Sequence, residues 1–205
     1  MPDFSHEIAL GGVVAGLDEA GRGPLAGPVV AAAVVFDHAR LPARLLAELN
    51  DSKRLSAKKR EEMFPLIQDA ALCVGVGRAE VDEIDRVNIL RATFLAMGRA
   101  VAALGVPIDR ALVDGNQKPP LPCPTHCLVG GDGLSLSVAA ASVIAKVTRD
   151  RLMVALAQRF PGYGWERNAG YGTPEHMRAL DALGPSPHHR RSFAPVQLAF
   201  DIKSS

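Results

Sequence analysis

Cysteine is scarce in this chain, with three residues among 205, and an odd number in a sequence of this length does not describe a disulfide framework. Cys123, His126 and Cys127 come close together, but a structural zinc site wants four ligands, and no CxxC pair or second cluster supplies the rest. They are expected to be ordinary loop and strand residues. Long apolar runs are missing too. The longest, Val29 to Phe36, falls far short of the roughly 20 residues a membrane-spanning helix needs. No basic segment leads into an apolar one at the N-terminus. The expectation is a soluble, cytoplasmic protein without membrane contact. Net charge is almost absent: a formal +1 does not by itself demand a polyanionic partner. Internal repeats and low-complexity tracts are absent as well.

What is present is enough apolar residue, 48%, to bury a sizeable core in one large domain or one domain with an appendage. The charge is uneven. From Ala145 to Ser205 nine Lys and Arg face five acids, and a second basic cluster runs from Lys53 to Arg60. Such clusters are usually solvated faces and support nucleic-acid binding only weakly.

Turn signals cut the chain into short elements. Val13–Leu17, Pro28–Phe36 and Leu72–Arg78 read as strands, and Ser56 caps a helix that Pro65 should kink or end. Ile84, Val87, Phe94, Met97, Val101 and Leu104 share one face of a helix over 81–104. Ala111–Val113 and Cys127–Val129 read as two more short strands, and Ser137–Phe160 as a long helix. A loop holding Gly162, Gly164, Gly170 and Gly172 precedes a last short helix opened by Thr173 and Pro174. This order implies an α/β domain with a mixed sheet.

The acids fall at the ends of these elements. Asp18 and Glu19 end the first strand, Asp114 ends the fourth and Asp132 follows the fifth, and the carboxyl ends of strands are where open α/β sheets bind ligands. Four carboxylates brought together would repel one another. A pair of hard cations resolves the conflict and suits phosphodiester chemistry. The alternative is that these acids form turns and caps, as most strand-end Asp residues do. The glycines of "GRG", residues 21–23, sit beside the first two acids and fit neither GxGxxG nor GxxxxGKS/T. Glycine there either builds a turn or lets the backbone approach a ligand.

Taken together, "GLDEAGRGPLAGPVVAAAVV", "DSKRLSAKKRE", "VDGN", "GGDGLSLSVAAASVIAKVTRDR" and "GYGTPEH" resemble, in order and spacing, the motifs of ribonuclease HII, the bacterial type 2 ribonuclease H. The resemblance runs from about Val14 to Val196. It implies a ribonuclease H-like mixed five-stranded sheet flanked by helices over residues 1–160, with a small helical substrate-binding part over 161–205. It implies catalytic metal ligands at Asp18, Glu19, Asp114 and Asp132 for two divalent cations, Mg²⁺ or Mn²⁺. It places substrate contacts at Gly21, Arg22, Gly23, Lys53, Ser142, Lys146, Arg149 and Tyr171, with residues 21–23 reading the ribonucleotide. Asp150 is expected to be structural or an ion-pair partner. The implied activity is hydrolysis of RNA in RNA/DNA hybrids and nicking 5′ of ribonucleotides in duplex DNA. A junction-resolving nuclease and a non-catalytic hybrid-binding module remain as alternatives. Gln197–Phe200, "QLAF", faintly resembles a sliding-clamp-binding peptide, against which stands a tail packed on the domain.

Overall fold

The computed structural model describes residues 1–204, with side chains through residue 199. Five strands make one sheet in the order β3-β2-β1-β4-β5: β1 (Val14–Ala20), β2 (Val29–Phe36), β3 (Ala71–Ala79), β4 (Arg110–Asp114) and β5 (Thr125–Leu128). The β1–β2 and β2–β3 pairs are antiparallel, whereas β1–β4 and β4–β5 are parallel. The mixed sheet expected from the sequence is therefore observed.

The β2 strand shows why the sheet is covered on both sides. Successive side chains of a strand point to opposite faces, and in β2 both sets are apolar and buried. Val29, Ala31, Ala33 and Val35 pack under α5 (Ile89–Ala103), while Ala32, Val34 and Phe36 pack under α6 (Leu136–Arg159) and α3 (Ala57–Ala70). The short helices α1 (Ser5–Leu10), α2 (Ala43–Glu48) and α4 (Val81–Val87) complete the body. The chain ends in α7 (Trp165–Asn168), α8 (Pro174–Leu183) and α9 (Ala194–Ser204). No helix among the described residues is long and apolar enough to cross a membrane.

Local expectations needed correction. Pro65 does not end α3, which runs on to Ala70; Met63 and Ile67 on either side are fully buried, and that packing outweighs one lost backbone hydrogen bond. The single helix expected over 81–104 is two, broken at Asn88, whose φ of 69° is left-handed and whose side chain caps α5 by accepting the Arg91 N–H. The fifth strand begins at Thr125, not Cys127. His126 and Cys127 are thus strand neighbours directed to opposite faces.

Candidate active site

Strand β1 runs on past Leu17 to Ala20, so Asp18 and Glu19 lie within its last residues, paired across to Ala32 and Ala31 of β2. On the other side the pairing with β4 stops at Leu17 opposite Val113. The next residues on the two parallel strands are Asp18 and Asp114, so both acids sit side by side just past the carboxyl end of that pairing. Asp132 enters from the short 3₁₀ turn Gly131–Gly133 after β5. That turn is tied to the strand by the Gly131 N–H, which donates to Asp114 Oδ1 at 2.7 Å.

These carboxylates are held out of water. Asp18 is 4% and Asp132 7% exposed. Burial, and next the charges of Glu19 and Asp114, push the Asp18 carboxyl well above the usual carboxylate range, although the Glu19 N–H and the Ser142 hydroxyl donate to it. Burial also raises Glu19 against the opposing pull of Arg22. Asp132 is pushed up to about 6 by burial and by the charges of Asp114 and Asp51, with Lys53 opposing. Burial works against the charged form of Lys53, but Asp132, Asp18, Asp51 and Asp114 outweigh it and hold this ammonium above the ordinary lysine value.

The cluster is thus a site of hard oxygen donors short of positive charge, which is the donor chemistry of a divalent cation site. Among the described residues no three His, Cys, Asp or Glu side chains close a ligand cage by themselves. Mg²⁺ at phosphoryl sites is commonly held by one or two carboxylates, with waters and substrate phosphate completing its shell. The donor set fits that mode.

A cleft of about 300 Å³ opens beside the acids, lined by Glu19, Arg22, Gly23, Lys53, Ser142 and Tyr171 among others. Tyr171 is 45% exposed, so its ring is available to a ligand and is not a packing anchor for the Gly-rich loop. Lys53 Nζ stands 3.8 Å from Asp132 Oδ2. Lys146, also in the cleft wall, donates to Asp150 at 2.7 Å, and Asp150 faces Arg60 as well. Asp150 is therefore an ion-pair partner, as expected.

Arg149 belongs elsewhere than the sequence suggested. It is 1% exposed, and its guanidinium donates to the carbonyls of Pro28, Ala169 and Ala26 at 2.9–3.0 Å. A guanidinium buried in the protein and engaged there by three backbone carbonyls is not a phosphate contact.

Two residues at the site were missed. Asp51 places its charge beside Asp132 and accepts the Lys53 N–H at 2.8 Å, an Asx turn that fixes how Lys53 leaves the chain. Ser52 is buried, with its hydroxyl 2.6 Å from that of Ser142. Arg60 of α3 anchors this loop through the Ser52 and Leu55 carbonyls. An Asp two residues before a Lys was the available signal for the turn.

Behind Tyr171 lies a buried aromatic cluster that fixes its backbone. The Ser186 N–H donates to His189 Nδ1 at 2.9 Å, which leaves the His189 proton on Nε2, 3.0 Å from His176 Nε2. Trp165 Nε1 also donates to His176 Nε2, so His176 carries its proton on Nδ1 and gives it to the Tyr171 carbonyl at 2.9 Å. Burial, and next the neighbouring His176, pull His189 down from 6.5 to about 3. The unfolded chain then takes up this proton first. The contribution to stability is complete above about pH 6.5 and is withdrawn as the pH falls toward about 3. By about pH 5 the loss amounts to about 2 kcal/mol. Denaturation at pH 7.5 and pH 5 should show it, and His189→Gln should shrink the difference by that amount; an unchanged difference assigns the acid sensitivity to other groups.

At the C-terminus Val196 and Ala199 are buried while Leu198 is 62% exposed. The Phe200 side chain, the other half of the clamp-peptide expectation, lies outside the described residues.

Comparison with known proteins agrees with this geometry. A sequence model of the family Ribonuclease HII matches residues 15–196. Ribonuclease HII of Rhodospirillum rubrum is 66% identical over 200 residues, covering 97% of this chain and 92% of that protein. The crystal structure of ribonuclease H2 from Pyrococcus horikoshii OT3 superposes with a TM-score of 0.78 at 28% identity, covering 94% of this chain and 99% of that one. The structure of the PCNA:RNase HII complex from Archaeoglobus fulgidus gives a TM-score of 0.72 at 27% identity, covering 87% of this chain and 93% of that one.

Proposed function

The chain belongs to the ribonuclease HII family, and from that premise we propose that it hydrolyses the RNA strand of RNA/DNA hybrids and nicks on the 5′ side of ribonucleotides embedded in duplex DNA. As a type 2 ribonuclease H it is an endonuclease of the ribonuclease H type. The observation that carries the finer reading is the cleft in which Glu19 stands beside Arg22, Gly23 and Tyr171. Hydrolytic groups and a sugar reader on one wall tie the cleavage position to sugar identity. Main-chain groups at glycines can bond the 2′-hydroxyl that distinguishes RNA from DNA.

Asp18, Glu19, Asp114 and Asp132 would hold two divalent cations, Mg²⁺ or Mn²⁺. Bound there, such ions polarise a phosphoryl oxygen and make water a better nucleophile. The chain's own groups do the rest. Lys53 and Lys146 offer positive charge to backbone phosphates, and each is held by a carboxylate, Asp132 and Asp150. Ser142, joined to Ser52, orients the Asp18 carboxyl. The Tyr171 ring packs against the sugar and its hydroxyl joins the ribose-reading network. Attack by water, not by the 2′-hydroxyl, leaves 3′-hydroxyl and 5′-phosphate ends.

The test compares a duplex carrying one ribonucleotide with its all-DNA counterpart, with Mg²⁺ and with chelator. Cleavage at the ribonucleotide alone, lost on chelation and severely reduced in Tyr171→Ala, supports the reading. Binding without cleavage in Mg²⁺ favours a hybrid-binding module, and cleavage of DNA junctions instead favours a resolving nuclease. A sliding clamp is a candidate partner through Gln197–Phe200, where exposed Leu198 gives an apolar contact; capture by a replication clamp that survives Phe200→Ala unchanged sinks that contact.

A further inference from the structure

Arg190 is fully buried, and its polar partners are backbone carbonyls. Nη2 donates to the Gly21 carbonyl at 2.6 Å and Nη1 to that of Arg22 at 2.9 Å. Nε and Nη2 reach Gly27, at 3.0 and 2.9 Å. The Phe193 ring covers the guanidinium at 5.1 Å from its centroid. Arg149 holds the other end of the same loop through Ala26 and Pro28, and joins it to the Tyr171 segment through Ala169.

The consequence follows from peptide geometry. No peptide bond of the described chain is cis, and in a planar trans unit the N–H of one residue points opposite to the carbonyl of the residue before it. Carbonyls of Gly21 and Arg22 drawn toward Arg190 turn the N–H groups of Arg22 and Gly23 the opposite way. Arg190 lies in the interior, whereas Arg22 and Gly23 line the cleft. Two donors are therefore directed from one short segment toward the cleft. Burial lowers both guanidinium groups from the ordinary arginine value, and the ring of carbonyl dipoles around each favours the charged form.

We propose that Arg190, braced by Arg149, is a specificity-determining positioning residue: it turns the peptide groups of residues 21–23 so that their N–H groups meet the ribose 2′-hydroxyl. The proposal rests on the ribonucleotide-reading role given above to the Gly-Arg-Gly turn. A lysine in place of Arg190 keeps the charge but loses the planar fork that engages three carbonyls at once.

The experiment measures binding in chelator, so that no strand is cut, to a duplex with one ribonucleotide and to its all-DNA twin. In Arg190→Lys the affinity for all-DNA duplex should stay within about twofold, because phosphate contacts are untouched, while the preference for the ribonucleotide falls by about tenfold or more. Loss of folded protein alone scales both affinities equally and leaves their ratio intact. Arg190→Gln, neutral and smaller, is the second variant should Arg190→Lys not fold, with the same expectation. A folded variant that keeps the full ribonucleotide preference overturns the positioning role. Equal affinity of the unmodified protein for both duplexes removes instead the ribonucleotide-reading role of residues 21–23.

Discussion

Asp18→Asn is expected to lose cleavage by on the order of 10³-fold, because it removes a proposed ligand of the cations that would stabilise developing charge, while making the protein more stable. The two effects share a cause. Asp18 is 4% exposed and stands beside Glu19 and Asp114, so its ionised form lacks water and faces two like charges, with Lys53 acting on it only from beyond ion-pair distance. An uncompensated buried charge of this kind opposes folding. Asn keeps an oxygen to accept the Glu19 N–H that Asp18 Oδ1 now accepts, and it removes the charge. The sign follows from linkage. A carboxyl whose folded pKa lies above its unfolded 3.8 costs nothing when both states are protonated and most when both are ionised. The gain in Asp18→Asn should therefore grow as the pH rises above the unfolded value, read as a widening gap in melting temperature between the two proteins. A variant both inactive and less stable at pH 8 overturns this account and makes Asp18 a structural residue.

The sheet and the convergence of acids were legible in the sequence because both depend on local pattern. The continuous apolar run of β2 states that both its faces are covered, and acids at the ends of apolar runs state where strands approach the edge of the core. The limits are equally local. Asn88 breaks one helix into two with a left-handed φ that Asn tolerates better than most residues, yet the apolar face continues across the break and hides it. Pro65 carries a helix-ending signal that the burial of Met63 and Ile67 overrides. Arg149 and Arg190 show the largest gap. Each sits among basic residues, in "VTRDR" and "HHRRSF", where a solvated or phosphate-binding face is the default expectation. Their actual partners are carbonyls more than 100 positions away in sequence, except Ala169. No periodicity or composition encodes a carbonyl brought from so far, so their burial becomes visible only when the loop of residues 21–28 is folded against them.

That loop separates two glycines which look alike in "GRG". Gly21 has a φ of +96°, and a Cβ there would lie 1.9 Å from Arg149 Nε. Gly23 has no such conflict: the nearest atom to its Cβ would be Tyr171 Cε1 at 3.6 Å, an ordinary contact. Gly21→Ala should therefore strain the backbone and push aside a buried guanidinium, lowering stability by about 3 kcal/mol or more. Gly23→Ala should fold with a melting temperature near that of the unmodified protein. Its methyl group instead stands next to the Tyr171 ring, where the proposed function would place the sugar. A displacement of about 1 Å at a reacting centre can lower the rate by about 10²-fold, so single-turnover cleavage at one ribonucleotide should fall by about that factor in Gly23→Ala. The comparison is made at a temperature where both proteins are folded. Full activity in stable Gly23→Ala means that the sugar does not approach this residue, and Gly23 then serves only to shape the turn. Unchanged stability in Gly21→Ala means that the loop yields around Arg149, which contradicts the close packing on which its positioning depends.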